Sequence, residues 1–105
     1  MVIIETSIFT KTVKELISDD DYRGLQHALV LRPDVGKLIP GGGGLRKIRW
    51  NIPGKGKRSG FRVIYFWDKP NETIFMLLIY KKTKLDDLTK SQLKILRNLV
   101  KEWLQ

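Results

Sequence analysis

Cysteine is absent from these 105 residues, so disulfides and thiolate-held metals are excluded. Histidine occurs once, at His27, too few for an imidazole metal centre or a Ser/His relay. No uninterrupted apolar run approaches the roughly 20 residues that a membrane-crossing helix needs. The opening MVIIETSIF is too short an apolar stretch, with Glu5 inside it, to be a signal peptide. A soluble cytoplasmic chain is therefore expected, with no membrane partner. The acidic run Asp19-Asp20-Asp21 lacks the glycine and glutamate spacing of a calcium loop. The four glycines at 41–44 lack the GK[ST] of a P-loop and precede no helix, so no small-molecule cofactor is expected. The most informative absence is local: between Gly41 and Trp67 there is no carboxylate.

That stretch, GGGGLRKIRWNIPGKGKRSGFRVIYFW, carries Arg46, Lys47, Arg49, Lys55, Lys57, Arg58 and Arg62. Over the whole chain, 20 basic residues against 11 acidic ones give a formal charge of +9. Such a balance suits nucleic acid, an anionic membrane surface or an acidic protein. With 42% hydrophobic residues, residues 1–105 are expected to fold as one domain around a modest core.

Val2 to Glu5 is β-branched and apolar, as in a short strand. Thr6 or Ser7 can cap a helix whose inner stripe is Phe9, Val13, Leu16 and Ile17. Ser18 caps a second helix, with the three aspartates in its first turn and Tyr22, Leu25, Leu29 and Val30 facing inward. Pro33 ends it. Asp34 to Gly44 reads as a glycine-rich connector. Leu45 to Trp50 then alternates as a strand, with Arg46, Ile48 and Trp50 on one face and Leu45, Lys47 and Arg49 on the other. Phe61 to Trp67 and Thr73 to Tyr80 are two further strands joined by a turn at 68–72, and the second of them, the most apolar, is expected to be central. Short connections imply antiparallel pairing. Thr89-Lys90-Ser91-Gln92 matches a capping box for a final helix, with Leu93, Leu96, Val100 and Trp103 on one stripe and Ile95, Leu99 and Leu104 alongside.

A lone basic loop is most often a solvated face. Here several segments converge, because Arg62 begins one strand while Lys81 and Lys82 end the next, side by side in an antiparallel hairpin. Lys55, Lys57 and Arg58 come from the loop just before Arg62. Binding RNA needs only charge and stacking groups. Cutting it needs a base for the 2′-hydroxyl, a cation for the phosphorane and an acid for the leaving 5′-oxygen. Arginine, planar and permanently charged, suits the phosphorane. Lysine serves as base only where nearby positive charge or burial lowers its pKa from about 10.4.

At GGLRKIR, GKGKRSGFRVIYF and LLIYKKTKLDDL the chain resembles the RelE superfamily of bacterial toxins, and within it the HigB branch. The resemblance covers nearly the whole length and implies an α+β fold: a small, mainly antiparallel sheet with two N-terminal helices and one C-terminal helix. It implies a type II toxin that enters the A site of the 70S ribosome and cuts translated mRNA without a metal, neutralised by a small helix-turn-helix antitoxin. Carried over by position, Arg62 matches the transition-state arginine, and Lys55 and Lys57 match loop lysines with base and ribosomal-RNA roles. Lys82 matches a strand-end cation preceded by Tyr80. Leu88 stands where relatives have a tyrosine, for which Tyr80 can substitute. Arg46, Lys47, Arg49, Arg58, Lys81 and Lys84 would form the surface that docks on RNA. Two other readings stand beside this one: a non-catalytic RNA-binding module, and a basic face for an acidic protein.

Overall fold

A computed structural model of the chain describes residues 1–51, 60–82 and 87–105. The sequence-predicted site residues Lys55, Lys57, Arg58 and Lys84 lie outside them. In chain order the elements are β1 (Val2–Glu5), α1 (Ser7–Leu16), α2 (Asp19–Leu31), β2 (Lys37–Leu38), β3 (Leu45–Asn51), β4 (Gly60–Asp68), β5 (Thr73–Lys81) and α3 (Lys90–Leu104). The fold is α+β. Its mixed five-stranded sheet has the order β1-β5-β4-β3-β2, with β1 parallel to β5 and the other neighbours antiparallel.

The two faces of the sheet carry separate cores. On one, Phe9 and Val13 of α1 and Leu25 and Leu29 of α2 pack on Val63, Tyr65, Met76 and Ile79. On the other, Leu96 and Val100 of α3 pack on Leu45, Ile64, Leu77 and Tyr80. The helix starts follow local chemistry. Thr6, Ser18 and Thr89 each accept a backbone N–H of the first turn, and Gln92 completes the capping box at α3.

Three expectations are corrected. The middle strand is β4, not β5, because β1 adds in parallel outside β5. The glycine-rich connector contains β2, whose Lys37 and Leu38 pair with Lys47 and Arg46 of β3. Val30 (40% exposed), Ile95 (61%) and Leu104 (50%) fall outside the buried stripes of their helices.

One irregularity decides what the site can contain. Ile64 pairs with Leu78 but Tyr65 pairs with Met76, so Leu77 is the extra residue of a bulge in β5. Phe75 lies on the α3 side, stacked on Trp103 at 4.5 Å. Strict alternation from Phe75 would send Tyr80 to the α1/α2 face. The bulge shifts the phase by one, and Tyr80 joins Leu96 and Val100 on the α3 side. The cap of α1 holds this bulge. The Thr6 hydroxyl donates to the Leu77 carbonyl at 2.9 Å, and the Thr6 N–H donates to the Met76 carbonyl at 3.0 Å.

Candidate nucleic-acid interface

The register of β3, β4 and β5 sets Arg49 opposite Arg62, and Arg62 opposite Tyr80. Cβ atoms so paired lie about 4.5–5.5 Å apart, close enough for like charges to repel. The result is a row, Arg49–Arg62–Tyr80, across the α3 side of the sheet. Arg62 is 7% exposed, and its Nη1 is buried with no hydrogen-bond partner among the described residues. Leaving a buried charged donor unpaired is costly, so such a group marks a place where an anion is expected.

Two adjoining clefts open on this row. One, of about 300 Å³, is lined by Arg49, Asn51, Gly60, Arg62 and Lys82. Its neighbour, of about 530 Å³, is lined by Val35, Lys37, Lys47, Ile48, Arg49 and Arg62. Lys82, just past the end of β5, thus shares a cleft with Arg62, as the hairpin geometry requires. The Lys47 ammonium donates to Asp87 at 2.6 Å. The hydrogen bond and charge of Lys47, and then the charge of Arg62, hold the Asp87 carboxyl below its usual range. Its side chain is 77% exposed, so the pair contributes little to stability and can open for a stronger anion.

Arg46 and Lys81 are placed differently. Arg46 alternates to the other face of β3, where its Nη1 donates to the carbonyls of Asp34 (3.1 Å) and Gly36 (2.8 Å). The buried Tyr65 hydroxyl holds the same connector, donating to the Pro33 carbonyl and accepting the Gly36 N–H, both at 2.8 Å. Burial pushes the pKa of Tyr65 up, in line with a neutral phenol that donates. Arg46 and Tyr65 thereby position the connector that leads into Lys37. Lys81 pairs with Phe61 and alternates with Ile79, on the side away from Arg62. Lys37, Asn51 and Asp87 were not anticipated at the site. Asn51 was legible in principle, two residues beyond Arg49 on the same face. Lys37 and Asp87 arrive from distant segments, and no local pattern announces them.

Against known families, residues 1–105 match the family described as the RelE toxin of the RelE/RelB toxin-antitoxin system. The chain belongs to the RelE toxin family. Solved structures agree on the fold. This RelE-family chain superposes on a chain of the intact E. coli RelBE toxin-antitoxin complex with a TM-score of 0.61 at 18% identity, covering 76% of this chain and 94% of that one. A mutant of E. coli toxin RelE in the free state gives 0.58 at 18% identity, over 81% and 86% of the two chains. At that identity the likeness concerns the RelE fold alone.

Proposed function

We propose that this toxin is a ribosome-dependent endoribonuclease of the HigB branch that cuts translated mRNA in the A site without a metal. The observation that supports it most is the buried Arg62, whose Nη1 has no hydrogen-bond partner among the described residues, at a cleft shared with Arg49 and Lys82. A surface patch for binding alone needs exposed cations, not one sunk in the sheet. In the reaction a base removes the 2′-hydroxyl proton and the 2′-oxygen attacks the adjacent phosphorus. The phosphorus–O5′ bond breaks, leaving a 2′,3′-cyclic phosphate, and an acid protonates the departing 5′-oxygen. Arg62 faces the charge that grows on the phosphorane. Tyr80, Lys82 and the loop lysines Lys55 and Lys57 supply the base and acid. Lys47, Arg49, Arg58 and Lys84 hold RNA around the cut, while Arg46 and Lys81 lie on the other face of the sheet.

The partner is an antitoxin, in keeping with the RelBE toxin-antitoxin complex, one chain of which shares this fold; that it is of helix-turn-helix type rests on the HigB resemblance. Inducing the chain in a bacterium, beside an Arg62→Ala version, tests the reading. Growth arrest with cuts inside translated codons is expected from the native chain and not from the variant. Equal arrest by both would replace cleavage with binding, and no effect from either soluble form would leave an interaction module.

A further inference from the structure

The clefts at Arg62 do not end at the sheet. The second shares Lys37 and Lys47 with a third, of about 470 Å³, which shares Pro40, Lys90 and Leu93 with a fourth, of about 440 Å³. The fourth runs along α3 between the glycine run and Lys94, Arg97 and Lys101. Lys90, Lys94, Arg97 and Lys101 follow one another at steps of four, three and four residues, one face of a helix. They extend over roughly 16 Å at the helical rise. None of the four is in an ion pair among the described residues. Arg97 lies against the glycine run, its Nε buried without a hydrogen-bond partner among the described residues and within 3.3 Å of where a Cβ on Gly43 would sit. Asp87, occupied by Lys47, is the one carboxylate among the described residues that line these four clefts.

We propose that the α3 end of this track grips the phosphate backbone of a base-paired RNA, while the Arg62 end handles the strand to be cut. This rests on the reading of the Arg62 end as an RNA site. The occupant follows from what lines the α3 cleft. Among the described residues its lining is four cations with Pro40, Gly41, Leu93 and Asn98 and no aromatic ring, whereas proteins that hold unpaired strands offer rings for the bases to stack on. A duplex keeps its bases inside and presents phosphates, which a straight row of cations on a rigid helix can follow.

Binding by the full chain to a labelled RNA hairpin, to an unpaired strand of equal length and to polyglutamate tests this across a salt series. The variant K94Q/K101Q removes two exposed cations of the row. K11Q/K14Q removes the same charge from α1, on the opposite face, and both should melt like the native chain. The α3 variant is expected to lose about tenfold or more in hairpin affinity, with a salt slope shallower by about 0.9 for each lost phosphate contact. The α1 variant should stay within about twofold of the native chain. Equal loss in both variants would reduce the effect to net charge and overturn the proposal. So would unchanged hairpin binding, tighter binding of the unpaired strand, or a preference for polyglutamate, which would make the face a protein site. The readout is binding, so failure of the cleavage reading alone would leave this result standing.

Discussion

Arg62 is an arginine that the sheet holds without satisfying. Its neighbour across β3 is Arg49, and its Nη1 has no partner among the described residues. Replacing a buried charged group with an apolar side chain of similar volume is commonly neutral or stabilising. Arg62→Met should therefore melt at or above the native temperature while losing about 100-fold or more in cleavage, the scale of one lost electrostatic donor. A melting temperature lower by more than about 5 °C, roughly 1 kcal/mol at this size, would make Arg62 a structural residue instead. Tyr22 is the contrasting case. Its hydroxyl donates to Glu5, which also accepts from Thr10 at 2.6 Å. Burial first, and then Glu5, push its pKa far above the ordinary tyrosine value. The raised pKa means that the folded chain keeps the phenol neutral. The stability this provides is complete below about pH 10, where the unfolded chain titrates, and falls as pH rises beyond it. Tyr22→Phe should lose about 1 kcal/mol at pH 7 and show a shallower decline in urea midpoint between about pH 10 and 11. An unchanged decline would remove Tyr22 from the explanation and leave Tyr65.

The element that most shapes the site is the β5 bulge, and Thr6 is its anchor. One hydroxyl caps α1 and also satisfies the Leu77 carbonyl. Thr6→Val removes both at nearly constant shape. The expected cost is about 2 kcal/mol or more, from a lost cap and an unmet buried carbonyl. Thr89→Ala, which removes only the cap of α3, should cost about 1 kcal/mol. If the bulge aims Tyr80, the Thr6 variant should also lose cleavage when assayed well below its melting temperature, and the Thr89 variant should not. Equal activity of the two would separate the bulge from the chemistry. The same elements show what could be read without coordinates. The caps of α2 and α3 were legible, and that of α1 to within Thr6 or Ser7, because a cap is chemistry between residues three apart. The faces of β3 and β4 were legible from period-two alternation, and the hairpin of β4 and β5 brought Arg62 beside Lys82; Arg49 was legible only as part of an RNA-docking surface, not as their neighbour. The bulge was not, since TIFMLLIY is apolar on both faces and gives no phase to follow. Nor was β2, whose two residues are a strand only because β3 lies alongside. Arg46 reads as one more surface cation until the carbonyls of Asp34 and Gly36, ten or more residues away, prove to be its partners.

At the scale of the whole molecule, +9 is spread over a chain in which the described residues form two ion pairs, one exposed and the other with Lys47 partly buried. Self-repulsion then outweighs the attraction that salt would screen. The free chain should melt higher by a few degrees as sodium chloride is raised across about one decade, toward a Debye length near 8 Å. RNA reverses that trend. A hairpin at about 100 times its Kd adds about 2.7 kcal/mol to the folded state. At this size that is a rise of about 10 °C or more. The same salt that relieves repulsion in the free chain displaces phosphates from the cations, so the RNA-induced rise should shrink as salt increases. The two melting curves should therefore converge, one climbing and the other falling, because one set of charges causes both. A free chain that melts lower in salt would show attraction already dominant within the fold. An RNA shift indifferent to salt would mean that contacts other than phosphate hold the complex.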